Sequence, residues 1–176
     1  MKLPTVPLVA LSVVALDQAS KLAVVFGLDL VNRAEIEVFP PFLNFRMAWN
    51  YGVNFGLLAD YSAMMRYALI AVALVISVWV YVWIGREKSG RLAQISAGLL
   101  IGGAVGNVID RLAYGAVADF LNMSCCGIDN PFAFNVADIA IFFGAIGLVL
   151  FSNFASGKTP GQGKTPGQGK TGRKTP

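Results

Sequence analysis

The sequence predicts a membrane α-helical protein, four transmembrane helices with a small non-helical layer on one side. Three observations carry this. Of 176 residues, 56% are hydrophobic and only 14% charged, more apolar surface than a soluble domain of this length can bury. Four stretches are apolar over the length that a bilayer core requires. Between the first two lies a segment rich in aromatic and β-branched residues broken by Pro and Gly, the pattern of short strands.

The first span covers residues 7–28 and carries Asp17 and Lys21. Lys2 followed by LVALSVVAL also fits a signal peptide, but the apolar run continues through KLAVVFGL and reads as a retained helix. The second, residues 67–84, is YALIAVALVISVWVYVWI and holds no charge. The third, residues 92–111, repeats glycine at 98, 102 and 106, a ridge that lets another helix approach closely. The fourth, residues 136–154, has Asp138 in its first turn.

The loop GREKSGR between spans two and three holds Arg86, Lys88 and Arg91. The positive-inside bias puts it in the cytoplasm together with both termini. Residues 29–66 and 112–131 then face the other side. In the former, Phe39, Phe42, Phe45, Trp49, Tyr51 and Phe55 suit an interfacial belt. The membrane domain is thus residues 1–156. Residues 157–176 form a basic low-complexity tail, too polar to build a core and expected to be disordered.

The net charge of +4 would suit nucleic acid, but Lys158, Lys164, Lys170, Arg173 and Lys174 all lie in the tail. The body is near neutral, so membrane lipid rather than nucleic acid is the expected partner. The Gly-Lys-Thr repeats fail as phosphate loops, since Lys158 stands where the first glycine belongs before Gly163-Lys164-Thr165. Cys125 and Cys126 are adjacent and imply no disulfide framework. The chain has no histidine, which excludes Ser-His and Cys-His pairs and the His-Glu-x-x-His zinc site. Hydrolysis would have to run on carboxylates or a Ser-Lys pair, and the adjacent Ser20 and Lys21 point to different helix faces. No metal or cofactor is expected.

An ionisable side chain inside a span costs roughly 2.5–3.5 kcal/mol, so each needs a reason. Asp17 and Lys21, four apart, pair on one helix face and read as a structural clasp. Asn107, Asp110 and Arg111 share a face of the third helix, where Asp110 and Arg111 read as a second clasp. Asp119 in AYGAVADFLNM and Asp138 in FNVAD have no partner nearby in sequence. Asp138 alone suits a helix N-cap. Brought together at a membrane–water boundary, the two acids would not both ionise. Desolvation and repulsion would leave one proton between them, the working state of an aspartic-protease pair. The residues permit either reading. A proton- or ion-coupled transporter or scaffold subunit is the alternative. It predicts acids spread through the depth of the membrane, whereas Asp110, Asp119 and Asp138 gather at one end.

Taken together, DQASK, NYGVNFG, GNVIDR, VADF and FNVAD, in this order on four predicted spans, closely resemble the bacterial lipoprotein signal peptidases, or signal peptidase II. The likeness covers residues 8–154 and excludes the tail and Cys125-Cys126. It implies an aspartic endopeptidase of the bacterial cytoplasmic (inner) membrane, monomeric, with its site at the outer-leaflet face. Its substrate would be a prolipoprotein, cut just before a cysteine that carries a diacylglyceryl group. The family's catalytic aspartates match Asp119 and Asp138. Its substrate-binding and supporting positions match Asp17, Lys21, Asn50, Gly52, Asn107, Asp110, Arg111 and Asn135. The likeness also implies that the outer segment forms a small extracytoplasmic β-cradle and a short surface helix.

Overall fold

The computed structural model describes residues 5–52, 62–87, 89–125 and 130–152. Expectations for Phe55, Lys88, Cys126 and the tail at 157–176 lie outside the described residues. Helix α1, Thr5–Lys21, runs on into a wider π-helical turn, Leu22–Gly27. A single turn, α2, spans Leu30–Arg33. Strands β1, Glu35–Phe39, and β2, Leu43–Asn50, follow. Then come α3, Ser62–Arg86, and α4, Arg91–Tyr114. Strand β3, Val117–Asn122, and helix α5, Val136–Phe151, complete the described chain.

Three helical stretches, Thr5–Gly27, Ala63–Arg86 and Arg91–Tyr114, are long and apolar enough to cross a membrane. α5 is equally apolar in character but has 16 residues, roughly 24 Å at 1.5 Å per residue. It ends at Phe151, before the expected end at 154, because Ser152 takes an extended conformation with φ −78° and ψ 150°. α3 begins at residue 62, five residues before the expected 67. Its Val75, Val78 and Trp79 are each at least 62% exposed, an apolar surface that suits lipid and not water.

α4 is the centre of the bundle and packs on α1, α3 and α5. The glycine ridge explains how. A Cβ on Gly102 would stand 2.7 Å from the carbonyl oxygen of Ala10, and one on Gly98 2.9 Å from that of Val6. α1 therefore lies nearly backbone to backbone on α4, which is the close approach the four-residue glycine spacing predicted. α5 repeats the device through Gly144, whose Cβ would meet the backbone of Leu100. Val6, Val80, Ile84, Ala93, Ala97 and Leu148 fill the bundle at the end nearest Arg86.

At the other end sits an antiparallel sheet of order β1-β2-β3. β1 and β2 are the strands that the aromatic pattern predicted. β3 was not legible as a strand, because Val117, Ala118, Asp119 and Phe120 are all buried and leave no polar alternation. β2 pairs with one edge of β3, with Ala48 opposite Asp119. On the other edge Phe134 exchanges bonds with Leu121, at 2.9 and 2.8 Å. Under the sheet Val25, Leu30, Ala118 and Phe120 pack with Phe45, Trp49 and Val136. Asp119 thus sits on a strand fixed at both edges and from below.

Candidate active site

Inside the bundle, below the sheet, one ammonium serves two carboxylates. Lys21 Nζ lies 2.8 Å from Asp17 Oδ2, the pairing the four-residue spacing predicted. It also lies 2.7 Å from Asp110 Oδ2 on α4. The expected Asp110–Arg111 clasp is therefore replaced, since consecutive helical residues diverge by about 100° and Asp110 points inward. Gln18 Nε2 donates to Asp110 Oδ1 at 2.9 Å and the amide of Ala118 donates to Oδ2 at 3.1 Å. Arg111 instead donates from Nη1 to the carbonyl of Asn107, one turn back, at 3.3 Å. Asp17, Lys21 and Asp110 are at most 3% exposed.

The two remaining acids come together at the sheet end of the bundle. Asp138 is the third residue of α5 and not its N-cap. Asn135 is the cap, its side chain accepting from the amide of Asp138 at 2.9 Å, while Asp138 Oδ2 accepts from the amide of Asn135 at 3.2 Å. This reciprocal capping box fixes the Asp138 carboxylate at the positive end of the helix. Its other oxygen accepts from Asn107 Nδ2 at 2.9 Å.

Asn135 joins the two acids. Its Nδ2 donates to Asp119 Oδ1 at 2.6 Å and to Asn107 Oδ1 at 3.2 Å. Asp119 Oδ2 accepts from Asn50 Nδ2 at 3.1 Å. Asn50 is held in turn by a tight turn, its Oδ1 accepting from the amide of Gly52 at 2.9 Å. Gly52 has φ +98°, and a side chain there would also run into Leu69, so glycine is required on two counts.

Burial pushes the Asp119 carboxyl up to about 7, and the charge of Asp138 adds to the push. Hydrogen bonds from Asn50 and Asn135, and the more distant Lys21, pull the other way without cancelling it. Arg111, half-buried, directs its charge toward Asp119, Asp138 and Asp110. Asp119 opens onto a cleft of about 490 Å³ lined by Trp49, Asn50, Gly52, Phe132 and Ala133 among others.

All ten residues singled out in the sequence fall into these two linked clusters. Two further participants were missed. Gln18, inside DQASK, was not singled out, although an amide so deep in an apolar span needs partners. Asn122, buried at the end of β3, donates to the carbonyls of Asn130 and Phe132 at 2.7 and 2.9 Å. Its signal was a polar residue inside an apolar strand, visible only once β3 is recognised.

The fold matches solved structures. A bacterial membrane enzyme solved by the in meso method at 2.3 Å resolution superposes with a TM-score of 0.65 and 27% identity, covering 89% of this chain and 93% of that one. A second such structure, at 1.9 Å, gives a TM-score of 0.67 and 29% identity over 81% of this chain and 88% of that one. Fold and site together define a small helical membrane enzyme. The family model for signal peptidase (SPase) II matches residues 9–154. The lipoprotein signal peptidase of Methylorubrum extorquens (strain PA1) is 45% identical over 140 residues, 80% of each chain. That of Neisseria gonorrhoeae (strain ATCC 700825 / FA 1090) is 38% identical over 141 residues, 80% of this chain and 84% of that one. The chain belongs to the signal peptidase II family. The transporter or scaffold alternative has no support among these relatives.

Proposed function

We propose that the chain is an aspartic endopeptidase that removes signal peptides from diacylglyceryl-modified prolipoproteins, cutting before the lipidated cysteine. The observation that carries the proposal is the pairing of Asp119 and Asp138 through Asn135 at the mouth of a cleft. Membership in a family whose relatives are lipoprotein signal peptidases supplies the substrate class.

Asp119 enters the cycle carrying the pair's proton, and Asp138 acts as the base. Asp138 takes a proton from a water whose oxygen adds to the peptide carbonyl carbon. Asp119 donates its proton to the carbonyl oxygen as that charge develops. Collapse of the tetrahedral intermediate breaks the C–N bond: the amine leaves with the proton held by Asp138, and one hydroxyl of the gem-diol returns a proton to Asp119 as the new carboxyl forms. Asn107 and Asn135 are committed to the two acids and serve as their support. Asn50 and Arg111, less buried, are the side chains we assign to the substrate backbone, with Gly52 holding Asn50 in place.

The topology proposed is four spans with both termini cytoplasmic and the sheet at the outer-leaflet face. In its support, the Arg86–Arg91 loop lies at the opposite end of α3 and α4 from the sheet and acids. Residues 1–156 form the peptidase domain and 157–176 the tail, and a single chain in lipid carries the complete site.

The test is cleavage of a diacylated prolipoprotein by purified protein. Asp119→Asn and Asp138→Asn should each lower kcat by about 10⁴-fold while the protein stays folded. Near-normal turnover by either folded variant sinks the proposal.

A further inference from the structure

We propose that Asp17, Gln18, Lys21 and Asp110 are positioning residues that set the separation of Asp119 and Asp138 and do not touch substrate. The proposal rests on the acid-pair reading above. Asp17 Oδ1 accepts from the amide of Ala137 at 3.0 Å, and Asp110 Oδ2 accepts from the amide of Ala118 at 3.1 Å. Each amide belongs to the residue directly before one of the two acids. Each carboxylate therefore grips the backbone one Cα step, about 3.8 Å, from the Cα of an acid it never meets.

Lys21 ties the two grips together, 2.8 Å from Asp17 and 2.7 Å from Asp110. Gln18 Nε2 makes a second tie, 3.1 Å to Asp17 Oδ2 and 2.9 Å to Asp110 Oδ1. An unbroken chain of polar contacts thus runs from Ala118 through Asp110, Lys21 and Asp17 to Ala137. It links β3 to α5, the two elements that carry the acids, through α1 and α4. A clasp serving only to neutralise Lys21 would need neither amide. The Ala137 amide is also an end donor of α5 with no partner inside its own helix, so Asp17 fixes the position of that helix end.

Burial keeps three of the four from substrate, and the fourth, the part-buried Gln18, does not line the cleft beside Asp119. Asp17 and Asp110 are 0% exposed and Lys21 3%, and none of the three lines the cleft beside Asp119. An acid pair must bracket one water, and a misplacement of about 1 Å costs on the order of 10²-fold in rate. That sensitivity is what a rigid cross-tie beneath the pair would serve.

The experiment compares wild type with Gln18→Leu, Lys21→Met and Lys21→Arg in cleavage of a diacylated prolipoprotein, with Asp119→Asn as control. Gln18→Leu leaves both ion pairs intact and should fold. Its kcat should fall at least about tenfold with KM within about twofold, and the two limbs of its kcat–pH profile should move relative to each other. The charges facing the acid pair are Lys21 from α1, Asp110 and Arg111 from α4, and the acids themselves on β3 and α5, while β2 presents the neutral Asn50. Lys21→Met should lose about 100-fold in kcat and Lys21→Arg should regain part of it. Should Lys21→Met not fold, Gln18→Leu decides alone. A raised KM at unchanged kcat in Gln18→Leu overturns the proposal in favour of substrate contact. A lowered Tm with kcat and pH profile unchanged overturns it in favour of a plain clasp. Turnover by Asp119→Asn would remove the acid-pair reading and this one with it. An inactive Asp119→Asn beside an unaltered Gln18→Leu removes this one alone.

Discussion

The molecule holds two pairs of carboxylates, one just beneath the other, and treats them in opposite ways. Asp17 and Asp110 share a buried ammonium at ion-pair distance and take their remaining hydrogen bonds from Gln18 and backbone amides. Asp119 and Asp138 receive only neutral donors, from Asn50, Asn107 and Asn135, and no cation among the described residues stands at ion-pair distance from either. A compensated pair is a fixed element of structure, whereas a pair offered amides alone stays sensitive to protons. Burial and the facing charge accordingly hold Asp119 up to about 7. On the proposed function, the contrast separates scaffold from chemistry within a single polar core.

The widest break in that comparison is a difference of sign in stability. Lys21→Met leaves two buried carboxylates without their cation and should cost about 3–5 kcal/mol in thermal unfolding in detergent. Asp119→Asn should do the reverse at high pH. The folded carboxyl holds its proton to about 7 against an ordinary 3.8, so the folded state binds more protons than the unfolded one between those values. The stability that Asp119 contributes is complete below the lower value and is lost as pH rises through the upper one. Asp119→Asn should therefore melt several degrees above wild type at pH 8, with the gap closing toward pH 4. A lower Tm for this variant at pH 8 would show that the two pairs do not differ in kind. On the proposed mechanism the same proton governs the rate, and wild-type kcat/KM should decline above a pH of about 7 as the pair becomes doubly charged.

A smaller effect tests whether the two pairs are mechanically joined. A Cβ on Gly106 would stand 2.7 Å from Asp17 Oδ2 and 3.4 Å from the Cβ of Ala137. Gly106→Ala must therefore push α4 away from α1 or displace the Asp17 carboxylate, an overpacking that costs about 1–3 kcal/mol. If the clusters are coupled, the variant should lose kcat as well as Tm, although residue 106 touches neither Asp119 nor Asp138. A drop in Tm with kcat intact would make Gly106 a packing residue alone.

How much of this was legible depended on the range of the interaction. Apolar length and glycine spacing are local properties, and they predicted the helices and the α1–α4 contact. The Asp17–Lys21 pair was legible for the same reason, being one turn apart. The Asp110–Lys21 bond joins residues 89 positions apart on different helices, and no pattern within either helix announces it. Asp110 was instead given to Arg111, the nearest cation in sequence. Asp138 was considered as a cap because an acid opening a helix is a local signal. The capping box has the same spacing, with Asn135 three residues earlier, but the sequence reading stopped at the acid. The reading of Asp119 and Asp138 as one site came from the absence of histidine and from motif resemblance. Periodicity alone left both acids as ordinary residues.

The mildest prediction concerns the rim of the cleft, where the scaffold reaches the chemistry from outside the bundle. Asn122 closes β3, and its side-chain amide holds the carbonyls of Asn130 and Phe132. Those bonds fix the segment that leads into Phe134 and Asn135, so they shape the cleft wall on one side and the cap of α5 on the other. Asn122→Ala leaves two carbonyls without their donor and should cost about 1–2 kcal/mol. The acids keep their own donors, so kcat should change little. KM should rise a few-fold, because Phe132, 75% exposed on the cleft wall, loses its anchored backbone. A fall in kcat larger than the rise in KM would instead place Asn122 with Gln18 and Lys21, acting on the position of Asp119 through its own strand.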